Sequence, residues 1–400
     1  MSSIIEQHRL CILVNSLSGG GGETVALMLY NAFKARDIDV TLLCIEQNDM
    51  LDATDIDVHY LSAKTGSENG LWKTLSLPLF AWRLKCFLRG KNISLVQSHM
   101  YRANYVNVIA RIFGSDHSLQ IVNHGIASRY LNMGLLGRVN LALIKALYPR
   151  SDQLLCPSMG MMNDLVSCGV PSAKMHLVHN PFKLDDIVAT SKVALPDDLL
   201  ERIAGRKVIV SVGRIESVKN TRDIIEAFKG VYESDVNTCL VLVGDGSERK
   251  PLEQVVSEHG LDNSVIMTGY VANPFRYIAQ ATMLVSASEY EGFSNVIVEA
   301  LVLGVPVVSS DCPGGPREIL SAEYDGEVVI QSGEMEVGEY GLLVPVGDAK
   351  ALRKAMNCLL SDEGLRASYV EKGHNRAADF RMDVIVQRHL ELLQTAMAED

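Results

Sequence analysis

The sequence predicts an α/β fold made of two doubly wound domains. Three observations predict it. Short strand-like runs alternate with helical stretches along all 400 residues, the rhythm of parallel sheets covered by helices on both faces. Twelve such runs fall at 10–15, 40–45, 94–99, 119–124, 153–157, 174–178, 207–212, 238–243, 264–267, 282–286, 305–309 and 341–344. That is too many for one compact sheet of this kind, and 48% hydrophobic content over this length suits two globular domains. The third observation is the break at His179-Asn180-Pro181-Phe182, followed by a polar stretch to about Gly205. Residues 1–182 are therefore expected as the first domain, 183–380 as the second, and 381–400 as a helix that packs back on the first.

Composition narrows the class. No uncharged apolar run reaches the roughly 18 residues of a membrane-spanning helix. The start, MSSIIEQHRLCILVN, enters a strand-like run without a signal-peptide cleavage pattern. Eight cysteines form no CxxC pair and sit mostly in apolar segments, so reduced, buried thiols and a cytoplasmic protein are expected. The net charge of -11 is uneven: residues 1–182 hold 16 Lys+Arg against 13 Asp+Glu, leaving 21 against 35 for the rest. From Asn69 to Arg150 eleven basic residues face one acid, Asp116. Lys73, Arg83, Lys85 and Arg89 interleave with Trp72, Leu75, Leu79, Phe80, Trp82 and Phe87, and Arg138 and Lys145 with Leu135, Leu136 and Leu141. This pattern suits helices lying on an anionic bilayer, so peripheral association with the inner membrane face through region 69–150 is expected. Core helices with basic outer faces remain the alternative. Nucleic acid is not expected, because the second half is acidic and no binding motif occurs.

Ligands of open parallel sheets bind beyond the carboxyl ends of the strands, and four features occupy such places. Gly19-Gly20-Gly21-Gly22 follows the first strand; its glycines let backbone approach a ligand and leave amides free for phosphate, with a flexible turn as the competing reading. His124, in VNHG, and His99, in SHM, end two later strands; a lone histidine is usually structural, but two at strand ends of one domain leave structural and functional readings evenly balanced. In the second domain, Arg214 and Lys219 of SVGRIESVKN can hold a diphosphate and could take the place of a divalent metal, or be solvated surface cations. Gly314-Gly315-Pro316-Arg317-Glu318 again permits close approach, with Arg317 and Glu318 as helix caps. The most informative stretch is Glu291-Gly292-Phe293-Ser294-Asn295, with Glu299 eight residues after Glu291. Glu291 is expected in a loop at a strand end, Glu299 one turn inside a helix, and the amides of Phe293 to Asn295 at that helix's amino terminus, where an anion is favoured. Carboxylates for hydroxyls and amides for a diphosphate are what a sugar nucleotide requires; two solvated glutamates on a capped helix are the alternative.

Taken in order, GGGGE, the HG histidine, SVGRIESVKN, VGDGSERKPLE, EGFSNVIVEAL, DCPGGPREIL and GLLVPVGD resemble the retaining glycosyltransferases of family 4. The resemblance covers nearly the whole chain from Gly19 to Asp348 and is more specific in the second half. It implies two Rossmann-like domains facing a central cleft, the GT-B architecture, with the acceptor held by the first domain and a UDP-sugar by the second. It implies that Arg214 and Lys219 bind the donor diphosphate and Glu291 the sugar hydroxyls. Gly292 and the amides of Phe293, Ser294 and Asn295 would meet the phosphates and neighbouring groups, and Glu299 the ribose. Tyr270 and Val271 would pack the nucleobase, Gly20 and Gly21 would lie against the donor, and His124 would stand near the reacting sugar. No cofactor and no metal are implied. DCPGGPREIL further resembles bacterial enzymes that transfer hexoses or N-acetylhexosamines during polysaccharide or glycan assembly, which points to UDP-GalNAc or UDP-GlcNAc and a polyprenyl-diphosphate-linked saccharide. A sugar-nucleotide epimerase of the same architecture is the main alternative. A metal-dependent transferase would need a DxD motif, present as Asp37-Ile38-Asp39 and Asp55-Ile56-Asp57. An NAD-dependent oxidoreductase would need a dinucleotide fingerprint that neither glycine loop supplies.

Overall fold

The computed structural model describes residues 9–48, 56–62, 70–321 and 329–398. The chain forms two compact units, Met1–Pro181 with Met382–Asp400, and Phe182–Arg381. The helix at the end of the chain is grouped with the first unit.

The first unit is built on β1 (Leu10–Val14), β2 (Val40–Glu46), β3 (Val58–Ser62), β4 (Leu95–His99), β5 (Ser118–Val122), β6 (Gln153–Cys156) and β7 (Met175–Leu177). They form one sheet in the order β3-β2-β1-β4-β5-β6-β7, with every pairing parallel. β1 is buried at all five positions, as expected of a strand covered on both faces. The helix Gly21–Lys34 buries Val25, Ala26, Leu29, Tyr30 and Phe33, the 3.6-residue stripe of an amphipathic helix, against the β1 and β2 side of the sheet. The helix Met382–Ala398 presents Ile385, Val386, His389, Leu392 and Leu393 at the same spacing. Val386 and Leu393 join the core beside β1, while Ile385 and Leu392 meet Val122, Leu155 and Val178.

The second unit has β8 (Lys207–Val212), β9 (Thr238–Val243), β10 (Val265–Gly269), β11 (Met283–Ser286), β12 (Val307–Ser310), β13 (Glu336–Val337) and β14 (Leu342–Val344). Their order is β10-β9-β8-β11-β12-β14-β13, parallel except for β13 against β14. The helix Thr221–Ser234 sets Ile224, Ile225, Phe228 and Val231 into the core. Phe228 is fully buried, so Phe228→Ala would destabilise this unit by about 3–5 kcal/mol through lost burial and a cavity.

β3 and β13 were not expected from the sequence. Both are edge strands; β3 is only half-buried and β13 has two residues, so neither carries the apolar run that marks an interior strand. Of the cysteines, Cys86 is exposed and Cys358 half-buried, while the other six are buried; all eight are free thiols. No helix among the described residues is long and apolar enough to cross a membrane.

Candidate active site

Each sheet reverses direction of growth at its centre, between β1 and β4 and between β8 and β11. Such switch points open a crevice at the carboxyl ends of the strands, and the candidate residues sit there in each unit.

In the second unit, β8 runs into the loop carrying Arg214 and the short turn Ser217–Lys219, and β11 into the segment ending at Glu291. Lys219 Nζ lies 2.6 Å from Glu291 Oε1, and the Ser288 hydroxyl donates to the same oxygen at 2.6 Å. Sequence reasoning placed these two residues in separate motifs, and the fold brings them into contact. An ammonium has three N–H donors, so Lys219 keeps further donors beyond the one on Glu291. Arg214 is exposed at the same loop. A depression lined by Gly213, Arg214, Lys219, Thr221, Ser286 and Ser288 lies over these strand ends.

The helix Asn295–Val302 begins just beyond Glu291 and is capped by Ser294, which holds a left-handed φ of 69°. That conformation costs a non-glycine residue on the order of 1–3 kcal/mol and persists where the surroundings impose it. Among the described residues, the Ser294 Oγ is buried with no hydrogen-bond partner, a group suited to a ligand oxygen. Glu299, half-buried in the second turn, has its carboxyl pushed up to about 7 by desolvation. Tyr270, just after β10, is 80% exposed, while Val271 packs against the core. The Phe293 side chain is buried between Phe182 and Phe380, so it anchors the loop and leaves only its backbone for a ligand.

Two expectations are corrected here. Gly314 and Gly315 do not make room for a ligand: a Cβ at Gly314 would strike the Glu291 carbonyl, and one at Gly315 the Phe293 carbonyl. They admit the backbone of the Glu291 loop, whose own amide donates to Pro313 O at 3.0 Å. Arg317 is no simple cap. It is buried between Asp311 at 2.6 Å and Glu336 at 2.9 Å, tying β12 to the edge strand β13.

In the first unit the glycine loop also departs from expectation. Gly20 is not a free amide; it donates to Glu23 Oε2 at 3.1 Å, and the Ser18 hydroxyl donates to the same carboxylate at 2.9 Å. Glu23 is buried, so the loop already contains its anion. Gly21 opens the helix Gly21–Lys34. Gly22 of this loop also has a requirement for lacking a side chain: a Cβ there would lie 2.9 Å from His124 Cγ.

His124 itself contacts His99, Nε2 to Nδ1 at 2.9 Å, with the rings stacked. Sequence reasoning gave His99 no role. The available signal was polar Gln97 and His99 at alternate positions of a strand-like run that opens on apolar Leu95 and Val96. Burial pushes the His124 imidazole down to about 4. The same desolvation, with smaller contributions from His124 and His389, pushes His99 well below its ordinary value. Both rings are therefore neutral at physiological pH.

A cavity of about 600 Å³ lies in the same unit, lined by Ser16, Lys73, Tyr101, Arg102, Arg129 and Tyr130 among others. The Arg129 guanidinium stands 5.0 Å from the Tyr130 ring centroid and 5.7 Å from that of Tyr101. Arg102 is paired with Glu46 at 2.7 Å, and Arg111 with Asp152 at 3.0 Å, so these two of the eleven basic residues serve internal ion pairs. On two segments that line the cavity, Trp72, Leu75, Leu79 and Trp82, and then Leu131, Met133, Leu135 and Leu136, are exposed. Asn69 lies outside the described residues.

No cluster of three or more His, Cys, Asp or Glu side chains able to hold a metal occurs among the described residues. Asp39 of the first DxD motif pairs with Arg9 at 2.8 Å; Asp55 of the second lies outside the described residues.

Residues 200–376 match the model of the glycosyl transferases group 1, and residues 19–186 that of glycosyltransferase family 4. A Campylobacter jejuni protein, the N-acetylgalactosamine-N,N'-diacetylbacillosaminyl-diphospho-undecaprenol 4-alpha-N-acetylgalactosaminyltransferase, is 30% identical over 93% of this chain and 96% of its own length. An amylovoran biosynthesis glycosyltransferase of Erwinia amylovora is 22% identical over 96% of this chain and 99% of its own. In fold, the chain resembles Anabaena HepE in complex with UDP and glucose, with a TM-score of 0.75 and 20% identity over 97% of this chain and 99% of that one. It also resembles the sucrose-phosphate synthase of Thermosynechococcus elongatus, with a TM-score of 0.80 and 20% identity over 98% of this chain and 100% of that one.

Proposed function

Because the chain belongs to the group 1 glycosyltransferases, with their two Rossmann-like domains of GT-B type, we propose that it moves a hexose or N-acetylhexosamine from a UDP-sugar, with retained anomeric configuration, to a polyprenyl-diphosphate-linked saccharide. The observation that carries the donor half is the Lys219–Glu291 contact of 2.6 Å at the switch point of the second unit. There a cation for phosphate and a carboxylate for sugar hydroxyls stand side by side at the start of a strained helix cap.

In this reading, breaking the glycosyl–phosphate bond builds positive charge on the sugar and negative charge on the departing diphosphate. Lys219 and Arg214 stabilise the latter, a gain that grows toward the transition state and so accelerates the chemistry. These two cations supply the charge that a divalent metal supplies in other transferases, and full activity in excess chelator is expected. The acceptor hydroxyl attacks from the face the diphosphate leaves, and a diphosphate oxygen takes its proton. Glu299, Tyr270 and Val271 take the nucleoside. Gly292, Ser294 and Asn295 take the phosphates and adjoining groups, and Gly20 and Gly21 offer close backbone approach alone. His124 attends the reacting sugar.

The acceptor half draws on the name of the Campylobacter jejuni relative, which acts on a diphospho-undecaprenol saccharide, and on the first unit's cavity with Lys73, Arg102 and Arg129 in its wall. The exposed Trp72, Trp82 and Leu135 suit the surface of an anionic membrane, which would bring the enzyme to the inner face where such a lipid is presented. Incubating the protein with a panel of nucleotide sugars, and following hydrolysis and thermal stabilisation, tests the donor. UDP-GalNAc or UDP-GlcNAc should give the largest response. Stabilisation by no UDP-sugar would sink the reading, and conversion of a UDP-sugar to its epimer without an acceptor would replace it with the isomerase.

A further inference from the structure

Three strands of the first unit carry glutamine at one register: Gln97 of β4 is paired with Gln120 of β5, and Gln120 with Gln153 of β6. All three are buried, in strands where a doubly covered sheet calls for apolar residues. Side chains two residues apart share a face, so His99 projects beside Gln97, and His124 beyond Gln120 and Val122. The final helix covers this face, with Ile385 and Leu392 on Val122 and Leu155 and its single histidine, His389, on Gln97.

The hydrogen bonds along this face form one directed chain. Gln120 Nε2 donates to Gln153 Oε1 at 2.8 Å, and Gln97 Nε2 donates to Gln120 Oε1. Gln97 Nε2 also meets His389 Nδ1 at 3.1 Å. Gln97 Oε1 can only accept, so His99, at 3.1 Å through Nε2, carries its proton there. A neutral imidazole has one N–H; His99 Nδ1 is then a lone pair, and His124 must donate to it through Nε2–H at 2.9 Å. The only nitrogen of His124 left outside the chain is an unprotonated Nδ1.

We propose that the buried chain Gln153–Gln120–Gln97–His99, with His389 of the final helix as its side branch, fixes the tautomer of His124. It makes Nδ1 an obligate hydrogen-bond acceptor for a hydroxyl of the sugar substrate. His99 and Gln97 are positioning residues that act through His124. Gly22 completes the arrangement by letting the ring lie flush with the start of the helix Gly21–Lys34. Desolvation supports the assignment: it lowers His389 to about 3 and His124 to about 4, so every ring in the chain keeps a single proton at working pH. Turning every amide over would reverse the chain and place the His124 proton on Nδ1, which is the one competing arrangement. The role of the acceptor nitrogen rests on the reading of His124 as the residue at the reacting sugar; the tautomer itself does not.

Nitrogen NMR on the full chain with labelled histidine, assigned with His124→Gln, tests this. The native protein should show His124 protonated only at Nε2, and neutral at pH values well above 4. His99→Phe removes the acceptor; His124 should then populate both tautomers, and kcat should fall about tenfold or more with donor KM unchanged. His99→Gln, which returns an acceptor carbonyl, should restore the Nε2–H form and most of kcat. A native His124 protonated on Nδ1, or a tautomer untouched in a folded His99→Phe, overturns the proposal. If His99→Phe does not fold, the native spectrum decides. If the tautomer behaves as stated while His124→Gln transfers at the native rate, the relay stands and the catalytic reading of His124 falls.

Discussion

The two units share the order of their first five strands and differ in what they place at the switch point. In the second, the strand ends carry opposed charges: Lys219 on Glu291, and Arg317 between Asp311 and Glu336. In the first, β4, β5 and β6 lead to neutral amides and imidazoles linked by hydrogen bonds, with Gln97, His99, Gln120 and Gln153 buried and His124 half-buried. Charge is what a diphosphate leaving group requires. A fixed lone pair is what orienting a hydroxyl requires. The comparison teaches that one fold supplies similar strand ends, and the residues placed there give each unit a different chemical character.

The largest effect expected is on the charged side. Lys219→Ala or Arg214→Ala should lower turnover on the order of 10²-fold or more, by analogy with removal of one stabilising donor from an oxyanion site. Near-native rates in both would end the electrostatic role. Next is Gly314→Ala, at a backbone φ of +127° and against the Glu291 carbonyl. It should displace the Glu291 loop, weaken nucleotide binding and cost about 1–3 kcal/mol of stability in a denaturant titration.

pH should separate the units by sign. The lowered values of His99, His124 and His389 mean the unfolded chain takes up protons that the fold refuses. Their contribution is intact above about 6.5 and is lost as pH falls toward 4, with a limiting slope of roughly 1.4 kcal/mol per pH unit for each histidine. Glu299, raised to about 7, works oppositely: the fold holds a proton that the unfolded chain has released, so stability declines as pH rises from its ordinary value of 4.5 to about 7. Stability curves should therefore flatten in part on the acid side in His389→Leu, by the share of one histidine of the three, and between about 4.5 and 7 in Glu299→Gln. If ribose hydroxyls donate to Glu299, UDP affinity should climb up to tenfold per pH unit on approaching 7 from below and stay flat in Glu299→Gln. The smallest effect expected is at the surface. Trp72→Ser with Trp82→Ser should reduce sedimentation with anionic vesicles at low salt by a few-fold, about 1 kcal/mol. No native binding to such vesicles would dismiss the membrane role.

How much of this was legible in the sequence also divides by unit. The proposed donor site is written in contiguous motifs: Glu291 to Asn295 and Glu299 form one strand-loop-helix passage, and Lys219 lies in another. Their contact across 72 positions follows once both are assigned to neighbouring strand ends. The relay is written in register. Gln97, Gln120 and Gln153 line up only when β4, β5 and β6 are paired, and His389 reaches Gln97 across 292 positions, which no local pattern encodes. Glycines misled for a related reason. Gly314 and Gly22 mark close approach, but what approaches is the chain's own backbone or imidazole, and sequence cannot tell self from ligand. The edge strands β3 and β13 escaped because half-buried or two-residue strands carry little apolar signal.

The division of labour is tested most directly by titrating UDP calorimetrically into the native protein, Lys219→Ala, Glu299→Ala and His99→Phe. The account predicts that the native protein and His99→Phe bind with equal affinity, while Lys219→Ala and Glu299→Ala bind at least about tenfold more weakly. Native binding in Lys219→Ala and Glu299→Ala, or loss of binding in a folded His99→Phe, would contradict it.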